Sequence, residues 1–351
     1  MGKMPVARFT YWQDARARHV WHNGGMRPLL PMMAAALTFM AVASAHAAYP
    51  PRLPDAQLHV YKQAGDTPLK LYAFSPTETT VSDGDAASPR PAVVFFFGGG
   101  WAAGTPEQFA PQARYFASRG LTAILVDYRV RSRHGVAAVE CVRDAKSAVR
   151  WVRSHAEELG IDPERVAAAG GSAGGHLAAC TALVDEFDEP AEDAAVSSRP
   201  NALVLFNPAL SFDPELAKND QRLAGFARRL GVEPLQLSPA HHVAKGAPPT
   251  LILVGTDDFL IAGVQQFAER MKAAGARCEL ELYDGRTHGF FNYGRGGKAA
   301  DGGRKAGADF LATTERADRF LASLGYVDGP PQVREFLARM NPLDAEPGRL
   351  K

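Results

Sequence analysis

The chain has 351 residues, a formal net charge of +1 and 46% hydrophobic content, which is globular composition with length enough to bury a large core. Balanced charge gives no basis for a nucleic-acid partner, and the three cysteines have neither metal-site nor redox-motif spacing. Length alone would suggest two domains, yet an α/β fold of this size runs as one.

Residues 1–25 are polar and aperiodic and read as an upstream extension. Met26-Arg27-Pro28 then gives a positive start, Leu29 to Ala43 is apolar apart from Thr38, and Ser44-Ala45-His46-Ala47-Ala48 supplies small residues. Those features specify a secretory signal peptide over 26–47. Its apolar run is too short to span a bilayer comfortably, so no stable membrane anchor is expected and the mature chain should be periplasmic or secreted. Cys141, Cys180 and Cys278 are an odd number for an oxidising compartment. Buried free thiols are expected, with a Cys141–Cys180 disulfide as the alternative.

After a Pro-rich entry, Leu58–Tyr61 and Leu69–Phe74 alternate as the strands of an antiparallel hairpin. Thr77 to Pro91 is a polar loop. Ala92 to Phe97 is a continuous apolar run, the mark of a strand covered on both faces, and it ends in Gly98-Gly99-Gly100-Trp101. A helix is predicted around Pro106–Arg119 and a strand over Leu121–Val126, followed by Asp127-Tyr128-Arg129. Val136 to Leu159 carries Val139, Val142, Ala145, Val149 and Val152 at helical spacing. Strands follow at Arg165–Ala169, Ala202–Phe206, Thr250–Val254 and Cys278–Leu282, with helices over Ala178–Leu183, Pro214–Leu230, Ile261–Ala274 and Phe310–Leu324. Alternating strands and helices imply a mostly parallel sheet covered on both faces, with ligand chemistry at the carboxyl ends of the strands.

Four features gather at those ends. Gly170-Gly171-Ser172-Ala173-Gly174 stands between a strand and a helix, the setting that gives a G-x-S-x-G match its meaning: a serine on a sharp turn with its hydroxyl above the sheet. Serine needs a base to deprotonate it, and the base needs an orienting acid. His288, in Gly285-Arg286-Thr287-His288-Gly289, is the candidate base. Asp258 is the favoured acid, with Asp257 read as a turn or capping residue. Gly99 and Gly100, with the amide of Ala173, are candidate donors to an oxyanion. His176 should pack beneath the turn, and His155 suits a helix C-terminus. His241 and His242 are adjacent and point apart. No HExxH or Cys/His cluster occurs, so neither a metal nor another cofactor is read.

Phe97-Gly98-Gly99-Gly100-Trp101, Asp127-Tyr128-Arg129, the Ser172 motif, Gly255-Thr256-Asp257-Asp258 and His288-Gly289-Phe290-Phe291 together resemble the α/β-hydrolases of the hormone-sensitive-lipase and acetyl-esterase type. The resemblance runs from about Leu58 to Tyr326. It implies an α/β-hydrolase fold and a serine esterase in which Ser172 is acylated, His288 moves the proton and Asp258 orients it. It favours short acyl groups on small-molecule or carbohydrate esters, acetylated or feruloylated sugars among them. Relatives usually have His-Gly-Gly-Gly where this chain has Phe97, and packing of Phe95, Phe97 and Trp101 is expected to replace the missing side-chain bond. Trp101, Phe259 and Phe290, with Phe291, Asn292 and Tyr293, are expected to line the pocket. Asn207–Val243 is a candidate small lid, and the acidic run Asp185–Pro200 reads as a solvated loop. A prolyl-oligopeptidase-type peptidase and a non-catalytic binding protein are the competing readings. Beyond the domain at 48–328, Val333, Phe336, Leu337 and Met340 in the tail 329–351 suggest a short amphipathic helix, docked on the core or on another subunit.

Overall fold

The computed structural model describes residues 49–76, 88–218, 220–294 and 307–340. The signal-peptide segment, most of the polar loop before β3 and the last residues of the tail lie outside the described residues. Eight strands form one sheet: β1 (Gln57–Ala64), β2 (Thr67–Phe74), β3 (Arg90–Phe96), β4 (Thr122–Val126), β5 (Ile161–Gly171), β6 (Ala202–Phe206), β7 (Thr250–Gly255) and β8 (Cys278–Tyr283). Their order is β1-β2-β4-β3-β5-β6-β7-β8. The hairpin β1–β2 and the pair β2–β4 are antiparallel, and all other pairs are parallel.

The side-chain period of a strand divides the core in two. Val94 and Phe96 of β3 face a cluster completed by the helices Ala138–Ser154, Ala173–Leu183 and Ile261–Ala273. Val93 and Phe95 face the opposite cluster, closed by the helices Ala110–Ser118, Ala308–Ala322 and Val333–Met340. Both faces of β3 are therefore buried, which is why its sequence is uniformly apolar rather than alternating. The helix Val333–Met340 packs on this same chain through Val333, Phe336 and Leu337, and the Phe336 ring meets Tyr115 edge-on at 5.4 Å.

The acidic loop is not simply solvated. Lys146, Arg150 and Arg153 recur at helical spacing along Ala138–Ser154 and hold it. Lys146, 2% exposed, donates to the carbonyls of Val184 (2.9 Å) and Glu186 (2.8 Å). Arg150 pairs with Asp188 (2.6 Å) and Glu192 (2.7 Å). A buried cationic row needs partners, and the acidic loop supplies them. Cys141, Cys180 and Cys278 are all free thiols, so the disulfide alternative is set aside. Among the described residues no helix is long and apolar enough to cross a membrane.

Candidate active site

The site starts where β5 ends. Ser172 has φ 55 and ψ −117, a backbone conformation that costs a non-glycine residue about 1–3 kcal/mol and that persists only where its surroundings enforce it. Those surroundings are the Ser172 amide donating to the Phe206 carbonyl (2.9 Å) and the helix Ala173–Leu183 starting at the next residue. Glycine is required on either side of the turn. A Cβ on Gly170 would run into the Gly174 backbone, and one on Gly174 would run into the carbonyls of Phe96 and Phe97.

His288 reaches the serine from the turn after β8, with Nε2 2.9 Å from Ser172 Oγ. Its Nδ1 lies 2.9 Å from Asp258 Oδ2 and 3.1 Å from Oδ1. Asp258 is 2% exposed and is held in place by the Leu260 amide (2.9 Å) and by the Asn207 side-chain amide. Asp257 is exposed and belongs to a turn, its amide donating to the Arg286 carbonyl (3.1 Å). The structure thus brings Ser172, His288 and Asp258 together and leaves Asp257 out.

The glycine loop covers the serine from the β3 side. The amides of Gly99 and Gly100 donate to no other group among the described residues, and the Ala173 amide is the first of its helix, with no carbonyl a turn earlier in that helix. Three candidate oxyanion donors are therefore unused. Phe97 is held by stacking on Tyr128 (centroids 4.1 Å apart), whose hydroxyl donates to the Phe97 carbonyl (2.6 Å). Phe95 does not share that task, because it points to the opposite face and stacks on Phe109. A side chain absent from the sequence reading anchors the loop instead. Gln108 Oε1 accepts from the Gly98 amide (2.5 Å), Gln108 Nε2 donates to Asn292 Oδ1 (2.9 Å), and Asn292 Nδ2 donates to the Gly289 carbonyl (2.8 Å). This chain of bonds ties the glycine loop to the turn that carries His288.

Two of the aromatic residues expected in the pocket are elsewhere. Trp101 is 1% exposed, and its left-handed backbone (φ 57) belongs to a turn that buries the ring under the loop. There Trp101 Nε1 donates to His176 Nδ1 (3.2 Å), while His176 Nε2 meets the Leu237 carbonyl (2.8 Å). Burial pushes the His176 pKa down to about 4, so the ring is neutral and accepts from the indole. Phe290 is 5% exposed and packs on Tyr283, because the next residue, Phe291, takes the inward place against Phe109 and Phe206. Phe259 does line the cavity, its ring 4.9 Å from that of His288.

That cavity measures about 740 Å³ and opens over Ser172 and His288 between the glycine loop, Phe226, Phe259 and Phe291. Gln108, Asn207 and Arg229 were all missed in sequence. Asn207 carried a signal, a polar residue at the carboxyl end of β6, whereas Gln108 and Arg229 reach the site only through tertiary folding. Among the described residues no group of three metal-ligating side chains occurs. The arrangement pairs a nucleophile with its base, an oriented acid and unused amides, the parts that acyl transfer needs.

Comparison with known proteins agrees with this geometry. The profile of the alpha/beta hydrolase fold family matches residues 93–292. The chain is 33% identical to the carboxylesterase NlhH of Mycobacterium tuberculosis over 58% of its own length and 67% of that protein's. It is 29% identical to a probable isoprenylcysteine alpha-carbonyl methylesterase of Arabidopsis thaliana over 64% of its length, but spans only 49% of that relative. Among solved structures, the apo form of Thermogutta terrifontis esterase 2 superposes with a TM-score of 0.72 at 48% identity, covering 80% of this chain and 99% of that one. The same esterase with butyrate bound gives 0.71 at 47% identity, covering 81% and 100%.

Proposed function

Because the chain belongs to the α/β-hydrolase fold family, we propose that it hydrolyses short-chain carboxylic esters through an acyl-enzyme on Ser172. The observation that carries this reading is the unbroken line of contacts from Ser172 Oγ through His288 to Asp258, beside amides that bond nothing else. Ser172 Oγ attacks the ester carbonyl carbon as His288 Nε2 takes its proton. The carbonyl π pair moves to oxygen, and the resulting oxyanion receives the amides of Gly99, Gly100 and Ala173. The intermediate collapses, the C–O bond to the alcohol breaks, and His288 returns the proton to the departing oxygen. Water, deprotonated by the same histidine, then attacks the acyl carbon; the bond from that carbon to Ser172 Oγ breaks, His288 returns the proton to Oγ, and the carboxylic acid leaves. Asp258 holds the ring with Nδ1–H toward itself, which leaves Nε2 free to act as the base.

The solved relatives carrying propionate and butyrate support a short acyl group, as does a cavity of about 740 Å³. Phe259, Phe291 and Tyr293 on its walls suit a flat acyl group or a sugar ring, so acetylated or feruloylated carbohydrates are the natural esters to try. The signal pattern over 26–47 supports a site of action outside the cytoplasm. Incubation with a 4-nitrophenyl alkylphosphonate tests the nucleophile. Stoichiometric mass addition to the peptide carrying Ser172 is expected, and an unlabelled Ser172 in folded protein would remove the acyl-enzyme.

A further inference from the structure

Arg229 stands in the wall of the catalytic cavity with most of its hydrogen-bonding capacity unspent. Its backbone is fixed: the amide donates to the Phe226 carbonyl (2.9 Å), its carbonyl accepts from Ala138 (2.9 Å), and Leu230 beside it is fully buried. The guanidinium carbon lies 5.3 Å from the Phe226 ring centroid, and Nη1 donates to the Gly100 carbonyl at 3.3 Å. A guanidinium has five N–H donors, and that bond uses one of them. Among the described residues no carboxylate lies within ion-pair distance of Arg229, in contrast to Arg222 nearby, which is bound by Asp220 at 2.9 Å. The other charged residue of the cavity, Glu107, sits beside Gln108 on the turn Pro106–Phe109 and forms no ion pair with Arg229. A half-buried, aromatic-backed cation without a counter-ion, in the same cavity as the nucleophile, is a receptor for an anion.

We propose that Arg229 receives a carboxylate carried by the substrate, so that the preferred esters bear a second, acidic group. Half-esters of dicarboxylic acids and esters of hydroxy acids are the chemical classes this selects. The inference deepens the ester-hydrolase reading and rests on it. Planar bidentate contact with a carboxylate favours arginine over lysine at such a place. Because Arg229 also touches the glycine loop, its replacement will alter turnover of neutral esters as well, so the informative quantity is a ratio.

Wild type, Arg229→Lys and Arg229→Met are compared on two matched pairs of esters. 4-Nitrophenyl hemisuccinate against 4-nitrophenyl butyrate places the charge on the acyl side. 4-Carboxyphenyl acetate against 4-carbamoylphenyl acetate places it on the alcohol side. In at least one pair the anionic-to-neutral ratio of kcat/KM should fall about tenfold in Arg229→Met, the factor that ~1.4 kcal/mol of charge-assisted hydrogen bonding gives. Arg229→Lys should keep part of it, and added salt should lower the wild-type ratio. Ratios unchanged by substitution in both pairs would overturn the carboxylate site while leaving the esterase intact. A folded wild type inert toward all four esters would overturn the underlying reading and this inference with it.

Discussion

Gln108 is the residue on which the oxyanion loop depends, and Gln108→Leu tests that dependence. The substitution keeps a comparable bulk while removing the acceptor of the Gly98 amide and the donor to Asn292, bonded at 2.5 Å and 2.9 Å. Gly98 is buried, so its amide loses a partner that solvent does not readily replace, at a cost of about 1–3 kcal/mol. The next peptide unit joins the Gly98 carbonyl to the Gly99 amide, one of the proposed oxyanion donors. Freed at Gly98, that plane can turn, and the donor loses its aim. Complete loss of such a donor lowers turnover about 100- to 1,000-fold, so partial misalignment should lower kcat about 10- to 100-fold. The interaction strengthens only as the oxyanion forms, so KM should stay near its wild-type value. Steady-state kinetics on 4-nitrophenyl butyrate reads both constants, and Gln108→Glu, which keeps an acceptor for Gly98, should fall between. A Gln108→Leu enzyme with unchanged kcat, or with only KM altered, would refute the loop-anchoring argument.

Phe97→His, which restores the residue usual in relatives, should not raise kcat, because Gln108 already holds Gly98. It should lower the melting temperature by removing an aromatic stack worth about 0.5–1.5 kcal/mol, checked by calorimetry beside the kinetics. Asp258→Asn should lower kcat by about 10⁴-fold by disturbing the tautomer of His288, whereas Asp257→Asn, exposed in its turn, should stay close to wild type on the same substrate. His176 is neutral in the fold, with its pKa lowered to about 4, while the unfolded chain protonates near the ordinary value of 6.5. The unfolded state thus binds more protons between these values, and the contribution of His176 to stability is lost as pH falls from 6.5 toward 4. Denaturant unfolding of His176→Gln at pH 7 and pH 5 should show a smaller loss than wild type, and equal losses would count against a buried neutral ring.

The sheet was legible because burial leaves a pattern. β3 faces apolar neighbours on both sides and reads as an unbroken apolar run, and the helix Ala138–Ser154 shows its buried stripe at regular spacing. Ser172, Asp258 and His288 could be assigned because each stands at the carboxyl end of a strand next to turn residues, and their side chains do lie within bonding distance. Orientation was harder to read. Trp101 directly follows the glycine run and Phe290 stands two residues after His288, yet a left-handed turn buries one and the inward Phe291 displaces the other. The Gln108–Asn292 bond joins residues 184 positions apart, a separation over which no local pattern operates. The acidic run does lie at the surface, with Asp185, Glu186 and Asp193 exposed, but its anchoring by Lys146 and Arg150 of the facing helix is a tertiary contact that no pattern within the loop reveals.

The most direct test of the central claim is hydrolysis of 4-nitrophenyl esters from acetate to decanoate by the wild type and by Ser172→Ala, with folding of both checked by circular dichroism. The account predicts turnover that declines as the acyl chain lengthens and that disappears in the variant. Turnover surviving in Ser172→Ala, or a folded wild type that cleaves none of the esters, would contradict the assignment of Ser172 as the nucleophile of an ester hydrolase.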